Sequence, residues 1–322
     1  MDRNKMLYRN LMEAIRQKIP DEKSLANLLT QILQIEKDAV YRRIKGKVPF
    51  SFLEIVIISE KLDISLDHIV SSDYAKSRPS KFLIDDSIDP TANYYIILDQ
   101  VVNFLKTAKD KKGTEGGEAT NNLPQPLYHL YDNISRYFLF KWKYQYDNSN
   151  KKIPYDQIYI PDELRRLQLE NVKVNRYLST GNYVFDNLLF YHLVSEIKLF
   201  NSFGLISKED CRLIKSDLFR IVDDIDSLSK TGRYGDSGNT LNIYISNTNL
   251  SVSYCYIITP DVQVSLVKAF TLNGITSMDK ETFEKIKNWI EALKRQSTLI
   301  SGTGEKERIL FIDKQYKIIE TI

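Results

Sequence analysis

The densest chemistry in this 322-residue sequence lies between Lys37 and Lys47, where Lys37, Arg42, Arg43, Lys45 and Lys47 stand against the single carboxylate of Asp38, with Tyr41 among them. Guanidinium and ammonium groups can donate to guanine O6 and N7 in the major groove of duplex DNA, and a tyrosine ring can touch a thymine methyl. Lysines just past such a helix would neutralise phosphates, adding affinity without sequence preference. The competing use of the segment is a solvated face on which Asp38 and Arg42 pair at i, i+4. The excess charge is local: residues 1–78 hold 14 basic against 11 acidic residues, which accounts for the whole formal net charge of +3.

Other reactive residues point to little. His68, His129 and His192 lie far apart and lack Cys or carboxylate partners at ligand spacing, so no metal is expected. Cys211 and Cys255 fall in apolar-periodic segments and read as buried free thiols. His192 sits on an apolar stripe and reads as a core imidazole. Gly302-Thr303-Gly304 lacks the context of a phosphate loop, no nucleophile elbow or H-E-x-x-H pair occurs, and Asp85-Asp86 and Asp223-Asp224 are ordinary surface pairs. An enzyme is not expected, nor a cofactor.

The basic segment needs elements to position it. Leu7, Leu11 and Ile15 repeat at helical spacing up to Pro20; Ser24 can cap a second helix with the stripe Leu25, Leu28, Leu29, Ile32 and Leu33. Lys37 to Lys45 forms a third helix with only Val40 and Ile44 to bury, and Gly46 suits its left-handed end. Ser51-Phe52-Leu53-Glu54 has capping-box form and opens a helix burying Phe52, Ile55, Val56 and Leu62; Ser65 can cap a last turn with Leu66 and Ile69. An ordinary core helix would offer more apolar area than Val40 and Ile44, so the outer face of the third helix has another use.

In this register the segment resembles the phage-repressor-like helix-turn-helix domains of bacterial transcription regulators. Leu29, Leu33, Ile35 and Val40 fall at that family's inward positions, Gly46 matches the glycine ending its recognition helix, and Ile55, Ile58 and Leu62 match the following core helix. Ile64-Ser65-Leu66-Asp67-His68-Ile69 looks like its closing turn. The resemblance covers residues 24–70 and implies that Lys37, Asp38, Tyr41 and Arg42 lie nearest the bases, with Arg43, Lys45 and Lys47 completing the DNA-binding set. Gln34 stands where the family has glycine; since a non-glycine residue there costs about 1–2 kcal/mol, a wider turn is expected.

The remainder is predicted to be larger and α+β, making a multidomain chain: residues 1–74 the helix-turn-helix domain, 75–93 a linker, 94–230 a mainly helical domain, and 231–322 a domain with a small antiparallel sheet. Residues 109–125, rich in Lys, Gly, Glu and Asn, read as an exposed mobile loop. The aromatic run of 127–146 reads as a helix contributing core, in preference to a stacking platform for single-stranded nucleic acid. Helices are expected through Leu164–Val172, Phe185–Ile197 and Cys211–Ile221. Leu241–Ile245 and Val252–Ile258 suggest a hairpin, Val262–Leu272 another strand, Thr282–Ile300 a helix, and Arg308–Ile319 one or two strands. No apolar run is long enough to span a bilayer, and no signal segment precedes the first helix, so a cytoplasmic protein is expected. The expected function is a sequence-specific double-stranded-DNA-binding transcription regulator, a homodimer with a C-terminal sensing or dimerising region and an unidentified small-molecule or protein effector. The alternatives are a protein-interaction scaffold with a degenerate helix-turn-helix, or a small-molecule receptor.

Overall fold

The computed structural model describes residues 3–66, 69, 83–84, 90–109, 111–146, 152–269, 271–272 and 274–322. The chain divides into two compact units, Met1–Ser80 and Lys81–Ile322. Among its described residues the first is all-helical: α1 (Arg3–Lys18), α2 (Glu22–Leu33), α3 (Lys37–Ile44) and α4 (Phe52–Leu62). Leu11, Ile15, Leu25, Leu29, Val40 and Ile58 are buried together, so each helix turns one apolar stripe to a shared core. Asp21, not Ser24, caps α2: its carboxylate accepts the Ser24 backbone N–H at 2.8 Å, and the helix begins three residues earlier than the sequence suggests. Ser51 and Glu54 complete the expected capping box on α4. Ile69 is buried, as expected, whereas His68 and most of the expected linker lie outside the described residues.

Two expectations here need correction. The turn after α2 is tight, because Gln34 itself takes the left-handed conformation (φ 54°, ψ 40°) and bears the strain that a glycine would avoid. Phe52 is 79% exposed rather than buried, since the first turn of α4 extends beyond the core that Ile58 enters.

Among its described residues the second unit mixes helices with one unclosed eight-stranded sheet. Its strands are β1 (Leu83–Ile84), β2 (Glu115–Thr120), β3 (Thr180–Phe185), β4 (Thr240–Ser246), β5 (Ser253–Ile258), β6 (Gln263–Lys268), β7 (Ile275–Ser277) and β8 (Ser297–Leu299), in the order β1-β7-β6-β5-β2-β3-β4-β8. β2, β3 and β4 are mutually parallel; every other pairing is antiparallel. The helices are α5 (Pro90–Lys106), α6 (Gln125–Tyr128), α7 (Asp132–Tyr146), α8 (Asp162–Asn175), α9 (Tyr191–Ser202), α10 (Lys208–Thr231), α11 (Lys280–Arg295) and α12 (Glu305–Glu320). One face of the sheet gives Phe185, Leu241 and Ile243 to a core shared with α7, α9, α10 and α12; the other packs Val184 and Tyr256 against Phe283 and Ile290 of α11.

The sheet is therefore larger than expected and parallel at its centre. The expected loop of 109–125 contains β2, an interior strand. Its glycines permit close packing: a Cβ on Gly117 would lie 2.2 Å from the Tyr256 ring, and one on Gly116 2.8 Å from Leu178. β3 lies within the region expected to be mainly helical and takes Phe185, expected to open a helix, as its last residue. β4 and β5 form no hairpin, because β2 and β3 lie between them. The boundary expected at 230/231 falls inside one unit, as strands from both sides share the sheet. Within the expected linker, Leu83–Ile84 pairs with Ile275–Thr276 and α5 starts at Pro90. Arg308–Ile319 is helical, burying Phe311, Gln315 and Ile319 at i, i+4 and i+8. The aromatic run is core: Tyr128, Tyr137, Phe140 and Trp142 are all buried, leaving no platform of stacked surface rings there.

Candidate nucleic-acid interface

α3 is short, and its two ends are fixed by different chemistry. At its start, Glu36 precedes the helix without a side-chain cap, and Val40 N–H donates to Glu36 O at 3.1 Å. At its end, Gly46 N–H donates to Arg43 O at 2.8 Å and Lys47 N–H to Arg42 O at 2.9 Å, a Schellman closure that requires Gly46 at φ 69°. Val40 and Ile44 are buried, so the rotation of the helix about its axis is set by these two anchors.

That rotation separates the expected site residues. Lys37, Asp38, Arg42, Lys45 and Lys47 are exposed. Among the described residues none of the five makes a side-chain hydrogen bond or ion pair, so the Asp38–Arg42 pairing does not form. Tyr41 is half-buried with its ring partly against the core rather than pointing outward. Arg43 is drawn away altogether. Its Nη2 lies 2.9 Å from Glu54 Oε1, its Nε donates to Glu54 Oε2 at 3.0 Å, and its Nη1 donates to Ala39 O at 3.2 Å. Burial alone would raise the Glu54 carboxyl, but hydrogen bonds from Arg43 and from the Ser51 backbone hold it below the usual carboxylate range. Tyr8 adds a tie from α1, its hydroxyl donating to Arg43 O at 2.6 Å and its ring stacking on Phe50.

The outward face of α3 thus carries Lys37, Asp38, Arg42, Lys45 and Lys47, with Tyr41 at its margin and Arg43 as a support. Glu54 and Tyr8 have parts that sequence reasoning missed. The capping motif marks Glu54 as a partner of Ser51, but nothing in the spacing announces its second contact, and Tyr8 carries no signal at all.

In the second unit, His129 is fully buried and His192 is exposed, the reverse of the reading in which His192 fills a core. His129 Nε2 lies 3.0 Å from the Tyr94 hydroxyl and Nδ1 lies 3.1 Å from Asn171 Nδ2. An amide N–H at Nδ1 leaves the proton on Nε2, so the ring is neutral and held by two partners. Among the described residues no three His, Cys, Asp or Glu side chains form a metal-binding group, and no helix is long and apolar enough to cross a membrane. The chain matches no family model, no curated protein and no solved structure.

Proposed function

We propose that the N-terminal unit reads duplex DNA through α3, and that residues 81–322 form the sensing or dimerising part of a cytoplasmic transcription regulator. The observation that carries this reading is the unengaged outer face of α3: among the described residues Lys37 and Arg42 on the helix, and Lys45 and Lys47 just past its end, make no ion pair or side-chain hydrogen bond, while the helix buries two side chains, Val40 and Ile44. Lys37 at the first position of α3 opposes the helix dipole and stabilises nothing locally, which fits a residue kept for an external anion. The register shared with phage-repressor-like helix-turn-helix domains supports the same face. In that arrangement Arg42 and Lys37 meet base edges, while Lys45 and Lys47 meet phosphates. A homodimer on half-sites one helical turn apart follows from the geometry of such readers.

Selection of binding sites from a random duplex pool tests it. Arg42→Ala should weaken the selected site by about 1–3 kcal/mol and relax preference at one base pair, whereas Lys47→Ala should weaken all sequences alike and lower the salt slope by about 1. Equal, weak binding to every duplex, indifferent to Arg42→Ala, would leave the rival reading, a protein-interaction scaffold. That rival draws on Phe52 and Leu53, 79% and 67% exposed at the start of α4.

A further inference from the structure

Two adjoining cavities in the second unit differ sharply in lining. The first, about 200 Å³, lies between α5 and the sheet and is walled by Ile97, Val101 and Phe104 on one side and Ile257, Val264 and Leu266 on the other. It exceeds the roughly 150 Å³ that suffices for a benzene ring. The second, about 460 Å³, is lined by Asn122, Gln125, Tyr128, Lys141, Gln145 and Lys268 among others. Gln125, Lys268 and Leu272 line both, so the two spaces adjoin across these three residues.

The charge is unequal as well. Among the described residues the lining of the larger cavity includes two lysines and no carboxylate. Both cations are held from the side: Lys141 Nζ donates to the Glu196 oxygens at 2.8 and 2.6 Å, and Lys268 Nζ donates to Glu118, which lines the apolar cavity. Their side chains are only 16% and 26% exposed, so the ammonium groups are fixed and partly desolvated. An ammonium has three protons to donate, and Lys268 gives one to Glu118. The amides of Gln125 and Gln145 line the same space, the first giving one N–H to Leu272 O at 3.1 Å.

We propose that these cavities form one binding site for an anionic amphiphile, a carboxylate with an aliphatic body. The body fills the space between α5 and β5–β6, and the carboxylate accepts from Lys268 and Lys141. This names a ligand class for the sensing half of the function above, and it stands whether or not α3 reads DNA.

The probe is octanoate, with 1-octanol and acetate as controls lacking charge and body. The two tryptophans are Trp142 and Trp289. Trp142 contacts Tyr146 edge-on at 5.9 Å, and Tyr146 lines the polar cavity, so the full-length Trp289→Phe protein reports occupancy through Trp142 emission. Octanoate should change that emission saturably, and 1-octanol and acetate should bind about tenfold more weakly or worse. Lys268→Met strands Glu118 and risks the fold, so Lys141→Met, whose partner Glu196 is 39% exposed, tests the charge. Val101→Phe, at a residue 37% exposed, narrows the apolar space without adding a second emitting tryptophan and so tests the apolar wall. Each should weaken octanoate about tenfold while leaving the unfolding midpoint near that of the parent. No saturable change, equal binding of 1-octanol, or indifference to both substitutions overturns the proposal. DNA affinity measured on the same samples separates the two readings, since octanoate binding without duplex binding sinks only the regulator.

Discussion

Arg42 and Arg43 are sequence neighbours with the same charge, yet one helical step of 100° sends them to different tasks. Arg42 is exposed and unengaged, whereas Arg43 ties α3 to Glu54 and thereby to the capping box of α4. Their substitutions should separate accordingly. Arg43→Ala strands a half-buried carboxylate and is expected to lower the stability of the N-terminal unit by about 1–3 kcal/mol. Arg42→Ala is expected to change stability by less than about 0.5 kcal/mol, as for other exposed sites, while weakening the selected duplex. Thermal unfolding followed by far-ultraviolet dichroism, beside duplex titration, checks the pair; equal loss of stability in both variants would refute the division. Of the seven basic-segment residues, the exposure of Lys37, Asp38, Arg42, Lys45 and Lys47 was legible in the sequence. Arg43 was beyond it because its partner lies 11 positions away, and Tyr41 because a ring beside a two-residue stripe can turn either way.

At the scale of elements, Gly117 marks the limit of what composition reveals. Glu-Gly-Gly-Glu-Ala-Thr has the residues of a loop, but the Tyr256 ring occupies the space above Gly117 and β3 and β5 pair on either side. Gly117→Ala should therefore cost about 2–3 kcal/mol through overpacking, where the same change in an exposed loop would be neutral. Tyr256→Leu made alone loses the 2.7 Å hydrogen bond to Glu115, yet in the double variant it should recover part of the glycine penalty, with a coupling of about 1 kcal/mol or more in urea unfolding. Helices with a clean apolar period, such as α2, α8 and α11, could be read from sequence because their partners all lie along one stripe. β2 and β3 could not, since Glu115, Gly117 and Asn182 are strand residues only by virtue of neighbours distant in the chain. α12 was misread for a related reason: Ile309-Leu310-Phe311-Ile312 is a continuous apolar run, and only the burial of Gln315 and Ile319 beyond it reveals the helical period.

At the scale of the whole molecule, both tryptophans lie in the second unit, so their emission follows the unfolding of that unit alone. There His129 couples stability to pH. Burial, with the nearby charges of Arg165 and Lys268, brings its pKa down to about 3, against about 6.5 in an unfolded chain. A base with a depressed folded pKa is neutral in the native state while the unfolded chain takes up a proton. Its stabilising share is thus complete above about pH 6.5 and is lost progressively as pH falls towards 3, at about 1.4 kcal/mol per pH unit. Between about pH 7 and about pH 5 this amounts to roughly 2 kcal/mol. His129→Gln retains an acceptor for Asn171 and a donor for Tyr94 but does not titrate, so it should be less stable than the parent at pH 7 and lose about 2 kcal/mol less on going to pH 5. Urea unfolding of parent and variant at both pH values measures the difference. Parallel losses in the two proteins would mean that the imidazole is reached by solvent, and that the Tyr94–His129–Asn171 chain does not hold the ring neutral.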